Sequence, residues 1–397
     1  MPRRRRGRFA ATAALLGGAL ILGLGLGGCG GTGRHTRTST RTYSIYTSLP
    51  FEGPFGATAG AMYQGEELAL AQAGDEVDGA KVVLRRLDDA TAGAGSTPAL
   101  VGQSARIAAA DQSTIAYIGE LMPGSSLTSI QILSPAGILQ VSPGDSATGL
   151  AGKTFARVVP RDSDEADAQL AALRKLGVSS IYLLADRTTH GRDIATTILS
   201  DAPSYGIRVV DPTRNSVSGN TRLLLRAIKR SKAGALLYAG SPAASVGPLW
   251  NAVTAAAPSI KKIASASITD STSWPLTSVQ ARYDTYLSAP GLLPGRGLPR
   301  AGSQFQSDFM TAYGTRAPWE SGIFGYVAVS GVLSALHSVG IHAGNPRAGV
   351  VSAFLRLREL PSALGAYSVV GGQTSFRSYF FTTYTRSGVA KSDGSLS

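Results

Sequence analysis

Of 397 residues one is cysteine, four are histidine and four are methionine, and charged side chains make up only 16% of the chain. A single thiol excludes an intrachain disulfide and any zinc or iron–sulfur centre built from several cysteines, so the fold must hold itself together by packing. The histidines, His35, His190, His337 and His342, show no H-E-x-x-H spacing, and no metal or other cofactor is expected. The formal net charge is +13, yet there is no lysine-rich arm, no basic helix and no aromatic–basic interleaving. Nucleic-acid binding is therefore not expected.

Where the positive charge does cluster, it points to export. Arg3, Arg4, Arg5, Arg6 and Arg8 precede an apolar run from Ala10 to Leu26, which ends in Gly27-Gly28-Cys29. A cationic head, an apolar middle and small residues at the end make a signal peptide over residues 1–28. The run is shorter than the ~20 residues of a membrane-spanning helix. The sole cysteine stands at the cleavage point behind an L-x-G-C box, which resembles the lipobox of bacterial lipoproteins, so Cys29 is expected to be lipidated and to become the N-terminus. The expected location is the outer face of the cytoplasmic membrane, in the cell envelope. Arg5-Arg6 leaves both the general secretory and the twin-arginine routes open. Removal of those five arginines leaves +8 from the original +13, a balance suited to anionic membrane surfaces.

Residues 29–42 are rich in Gly, Thr, Ser and Arg without apolar period, as in a flexible tether. From Tyr43 onward, short apolar runs alternate with amphipathic ones, the pattern of a mainly parallel α/β sheet. The first series has strands at Lys81–Leu84, Thr114–Ile118 and Ile138–Val141, with helices at Pro98–Ala110 and Ser125–Leu133 between them. After Pro160 a second series opens at Asp162, where Glu165 three residues on suggests a capping box. Its strands are read at Ile181–Ala185, Ala235–Tyr238 and Lys262–Ala266, and its helices at Leu223–Ile228 and Ser245–Ala255. Later helices are expected over Ser303–Tyr313, Ser321–Leu336 and Val350–Leu357, and strands over Ala366–Val370 and Tyr379–Thr385. Two such series in a mature chain of roughly 370 residues imply two lobes.

Several stretches together resemble the substrate-binding proteins of branched-chain amino-acid ABC transporters. They are Gly53-Pro54 to Gly65, Lys81 to Asp89, Ala116 to Glu120 through Gly137 to Pro143, Phe155 to Pro160, and Leu183 to Asp186 with His190-Gly191. Phe305 to Tyr313 and Gly325-Tyr326 extend the likeness. The resemblance implies the type I periplasmic-binding-protein fold, α/β, with two Rossmann-like lobes joined by three crossings near residues 160, 288 and 366. Lobe 1 is then expected over 43–160 and 288–366, and lobe 2 over 161–287 and 367–397. It also implies a monomer that takes a small polar ligand, an amino acid or related carboxylate, into the inter-lobe cleft and presents it to an ABC permease. The alternatives are a lipoprotein sensor of the same fold that signals to a membrane receptor and, more remotely, a cell-wall hydrolase.

In open α/β sheets ligands collect beyond the carboxyl ends of strands, where helix N-termini present free amides. The loops Glu120–Ser126 and Ser142–Ser146 fit that description, and Gly124, Ser125, Ser126, Gly144 and Ser146 are the candidates to grip a carboxylate. The resemblance supports the same loops, although Pro123 stands where relatives have serine. It places His190 where relatives carry a tyrosine over the ligand. The acid that would hold an ammonium group falls at Ser267 by gapless alignment, which leaves Asp270 as the nearest carboxylate. Asp88-Asp89 is expected to bond loop amides rather than a metal. Gly144-Asp145-Ser146 is similar to the nucleophile segment of trypsin-like proteases, but no histidine is placed to support a triad, and no catalytic residue is expected. Gly152-Lys153-Thr154 is similar to the end of a P-loop, yet Ala147 occupies the leading glycine position.

Overall fold

The structure, a computed structural model, describes residues 41–210, 221–270, 272–292, 297–314, 319–340, 346–393 and 396. The expected signal, Cys29 and the tether up to residue 40 lie outside the described residues.

The first sheet is assembled from β1 (Thr42–Leu49), β2 (Glu76–Val77), β3 (Ala80–Asp88), β6 (Thr114–Ile118), β7 (Leu139–Ser142) and β8 (Phe155–Arg157). A small hairpin, β4 (Ala90–Thr91) and β5 (Ala94–Ser96), stands apart. Helices α1 (Gly56–Gln72), α2 (Pro98–Ala110) and α3 (Ser126–Leu133) connect the strands. The strand order is β2-β3-β1-β6-β7-β8, with every pairing parallel except β2 with β3. Strands β6 and β7 are buried at every position, as expected for parallel strands covered on both faces.

The second sheet follows α4 (Asp162–Lys175). It contains β9 (Ser180–Ala185), β10 (Arg208–Val210), β11 (Ala235–Ala239), β12 (Lys261–Ser265) and β13 (Thr285–Pro290), with α5 (Thr189–Asp201), α6 (Thr221–Ser231), α7 (Val246–Ala256) and α8 (Val279–Arg282) between them. The chain then supplies α9 (Arg300–Tyr313), α10 (Trp319–Val339) and α11 (Arg347–Leu355), which join the core of the first sheet. It ends with β14 (Val369–Val370), β15 (Gln373–Thr374), β16 (Tyr379–Tyr384) and β17 (Ala390–Asp393). The order of the second sheet is β10-β9-β11-β12-β13-β16-β17, parallel as far as β13 and antiparallel beyond it.

Each sheet thus carries one helix-covered core or more, the two-sheet α/β architecture expected from the sequence. The passages between sheets fall between Arg157 and Asp162, after Pro290, and between Thr374 and Tyr379. The third is later than residue 366 because the chain first makes the β14–β15 hairpin, where Gly372 accepts a hydrogen bond from the Arg157 amide at 3.0 Å.

Helix α1 packs on α10 through paired glycines. A Cβ on Gly65 would lie 1.9 Å from the Gly322 carbonyl oxygen, and one on Gly325 would lie 2.1 Å from that of Met62. Backbone therefore meets backbone, which fixes the N-terminal end of α10 against the first sheet.

Candidate functional site

In both sheets the strand order reverses beside the first strand of the series, between β1 and β6 and between β9 and β11. Such switch points leave a crevice outside the carboxyl ends of the strands. A cleft of about 260 Å³ lies there and draws on both sheets. Leu121, Met122 and Pro123 follow β6, Pro143 and Gly144 follow β7, His190 follows β9, and Ser241 and Pro242 follow β11. The run Ser265–Asp270 leaves β12, and Ser288 to Pro290 end β13. Met62 on α1 and Glu320 and Phe324 on α10 complete the wall.

Of the residues expected at the site, Gly144, His190 and Asp270 line this cleft, as do Pro123 and Ser267. Gly124, Ser125, Ser126 and Ser146 are not part of its lining. Gly124 instead approaches the second sheet's helices, since a Cβ there would lie 3.0 Å from the Thr189 hydroxyl. Ser126 is fully buried and its hydroxyl accepts from the Glu120 amide at 3.4 Å. The Ser146 carbonyl accepts from the Asp162 amide at 2.8 Å.

Two of the amides offered by these loops, those of Gly124 and Ser126, are already taken within the protein and so are not open to an incoming carboxylate, contrary to the expectation drawn from the sequence. The buried Asp145 carboxylate accepts from Gly124 N at 2.7 Å, Ser126 N at 2.8 Å and Ala147 N at 3.2 Å. It sits where an anion at the start of α3 would sit. Burial raises its pKa to about 6 against the lowering effect of those three donors. Beneath it the buried Arg157 donates to the Asp145 carbonyl at 3.0 Å.

The second sheet repeats the device. Asp186 follows β9 and accepts from Thr188 N at 2.9 Å and from Ser241 N at 2.7 Å, so the loops after β9 and β11 are both tied to its carboxylate. Thr188 caps α5 by accepting from Gly191 N at 3.1 Å, which turns His190 inward. His190 is buried and its Nδ1 lies 2.8 Å from Asp162 Oδ1. Burial opposes protonation of this ring, but the Asp162 charge and hydrogen bond, with Glu165 and Asp186 nearby, raise its pKa to about 9.

Asp162 and Glu165 reach this position because the helix cap is displaced from the one read in the sequence. Arg161 is the residue before α4, and its amide donates to Asp164 at 2.9 Å. Asp162 and Glu165 are thereby free to face inward, and Glu165 Oε1 accepts from the Ser288 hydroxyl at 2.6 Å. Donor atoms of Asp162, Glu165 and His190 lie within 4.8 Å of one another. His190 is bonded to Asp162, and Glu165 to Ser288 and Gln169, which makes a buried polar cluster behind the cleft lining, with Asp162 Oδ2 left without a hydrogen-bond partner among the described residues.

Asp270, after β12, and Glu320, on α10, both line the cleft and come close enough to interact. Burial and then the Glu320 charge raise the Asp270 pKa to about 6. Desolvation likewise raises that of Glu320, which stands at the exposed start of α10. Glu320 was not singled out in the sequence, since only the packing of α10 on α1 brings it to the cleft. Asp145, Asp162 and Glu165 were seen only as a protease-like triplet and a helix cap.

A family model described as periplasmic binding protein matches residues 45–387. Among solved structures, a leucine binding protein of Thermotoga maritima superimposes with a TM-score of 0.74 at 17% identity, covering 89% of this chain and 98% of that one. A branched-chain amino acid transporter substrate binding protein of Streptococcus pneumoniae, in complex with isoleucine, gives 0.72 at 16%, with coverage of 89% and 99%. A solute binding protein of an ABC transporter from R. palustris, in complex with benzoate, gives 0.71 at 14%, with coverage of 88% and 95%. No match was found among curated protein sequences. The family match over nearly the whole folded chain, joined to a cleft at the switch points of two parallel sheets, makes this chain a member of the periplasmic binding protein family.

Proposed function

We propose that this chain is the solute-binding component of an ABC importer, held at the outer face of the cytoplasmic membrane through a lipid on Cys29. It takes a small polar solute bearing an ammonium group into the cleft and hands it to a permease. The observation that carries this reading is the cleft itself, in which Asp270 from the second sheet and Glu320 from α10 face a common space lined by residues of both halves. The leucine binding protein and the binding proteins in complex with isoleucine and benzoate that share this fold support the solute-binding role.

The mechanism needs no covalent step. A ligand that touches both halves gains contacts available only when they are closed, so binding biases the hinge and a permease can distinguish loaded from empty protein. A group with two like charges near each other also has a reason to close on a cation, which relieves their repulsion. The test is a thermal-shift panel of amino acids, amines, amides, short peptides and aromatic acids. A ligand selective for the folded protein raises its melting temperature, by an amount that grows with ligand concentration. A panel without any saturable shift refutes the proposal.

A further inference from the structure

We propose that Asp162, Glu165 and His190 form a binding site for one divalent transition-metal ion of the zinc type, set behind the cleft lining in the half built on the second sheet. The site does not depend on which solute the cleft takes.

The first observation is the ligand set. Two carboxylates from the first turn of α4 and an imidazole from the first turn of α5 converge, although Asp162 and His190 stand 28 residues apart in the chain, which is why no spacing in the sequence announces them. All three side chains are buried, and their ligand atoms lie within 4.8 Å of one another. Two atoms bound to one zinc ion at about 2.0–2.2 Å stand ~3 Å apart, and His190 Nδ1 already lies 2.8 Å from Asp162 Oδ1. A shift on the order of 1 Å therefore seats an ion among them. One imidazole with two carboxylates suits zinc better than magnesium or calcium, which favour oxygen ligands alone. An ion can arrive from the cleft, since His190 and Ser288, which donates to Glu165 at 2.6 Å, both line it.

The second observation is independent of that geometry: acceptors here lack donors. Asp162 Oδ2 is buried and accepts no hydrogen bond among the described residues. Gln169, one turn beyond Glu165 on α4, is buried too. Its Nε2 donates to Glu165 at 3.3 Å and to Ser288 at 2.9 Å, while its Oε1 has no partner among the described residues. Orphaned buried oxygens beside two carboxylates call for a cation. The buried Arg157 carries charge nearby, but its guanidinium donates to the carbonyls of Asp145 and Leu150 at 3.0 and 3.5 Å and not to this carboxylate. Burial pushes the Glu165 pKa up in spite of His190 and Ser288, as for a carboxylate with too little positive charge around it. A divalent ion supplies that charge and displaces the His190 proton.

The test uses the purified protein carrying His35→Gln, His337→Gln and His342→Gln, in which His190 is the sole imidazole. After treatment with a chelator, zinc alone is added at pH 7.5 and followed by equilibrium dialysis and by nitrogen NMR of that ring. Saturable zinc binding is expected, with Nδ1 passing from a protonated to a metal-bound nitrogen as the ion goes in. Zinc that binds without changing the His190 resonances overturns the proposal, as does a failure to bind. Displacement of the zinc by an equal concentration of magnesium or calcium overturns it too. Asp162→Asn in the same background is the second arm, with its fold checked by circular dichroism before zinc is added. It should weaken zinc at least about tenfold, the least that loss of even an outer-shell partner costs a metal site, and a smaller loss in the folded variant contradicts the assignment. Should that variant fail to fold, the His190 resonances of the parent decide the matter by themselves.

Discussion

Replacement of Asp270 by asparagine should make the protein more stable at neutral pH while impairing it. Burial and the Glu320 charge hold the Asp270 pKa at about 6 rather than 3.8. For a fully enclosed group a rise of that size corresponds to about 3 kcal/mol. Asp270 keeps partial contact with solvent, so screening reduces the expected effect to roughly 1–2 kcal/mol. The sign follows from proton linkage: an acid whose pKa is raised on folding destabilises the native state in full above about 6, progressively less as pH falls, and not at all below 3.8. Asp270→Asn should therefore unfold at higher urea than the wild type at pH 7.5, with the difference closing toward pH 4. The same variant should lose ammonium binding, the usual trade between a strained site and stability. A variant that is less stable at pH 7.5, or a difference that is the same at both pH values, refutes the placement of an ionised Asp270 against Glu320.

Other perturbations probe the remaining parts. His190→Asn should be destabilised by roughly 2–3 kcal/mol at pH 6, because a histidine whose pKa is raised on folding contributes stability in full below 6.5, and this is lost as pH rises through about 9. Urea denaturation at pH 6 and pH 9.5 should show that gap narrowing; a constant gap argues against a charged pair with Asp162. Ser146→Ala should leave ligand affinity within about twofold by calorimetry, since only a lost hydrogen bond to ligand would weaken it further and Ser146 does not line the cleft. Cys29→Ser should abolish the lipid mass increment in intact-protein mass spectrometry and move the protein from the membrane to the soluble fraction. Retention at the membrane without lipid contradicts the anchor.

The parallel core was legible because its strands are continuous apolar runs between turn residues. Helix α2 and strand β6 have the bounds read from the sequence, Pro98–Ala110 and Thr114–Ile118. Asp88 also bonds loop amides as expected, accepting from Phe51 at 3.1 Å and Ala90 at 3.0 Å. Strands of two or three residues at edges, such as β2, β10 and β14, carry too little pattern to be read alone. At the site, His190 and Asp270 were found from their position after strands, but position alone does not say which polar group takes a helix N-terminus. An aspartate three residues after a strand can supply the anion that the same loop would otherwise take from solution, and Asp145 does so. Glu320 depends on contact between segments far apart in sequence, α10 and α1.

The interleaved course of the chain bears on its biogenesis. Helix α1 finds its glycine-matched partner only in α10, and β13 gains its antiparallel neighbour only when Tyr379–Tyr384 arrives. Neither half can close until the last quarter of the polypeptide has emerged, so long-range pairing delays folding. At synthesis rates of about 5–20 residues per second, that delay keeps the nascent chain open for several seconds or more. A translocon that threads unfolded protein would have that interval in which to engage it.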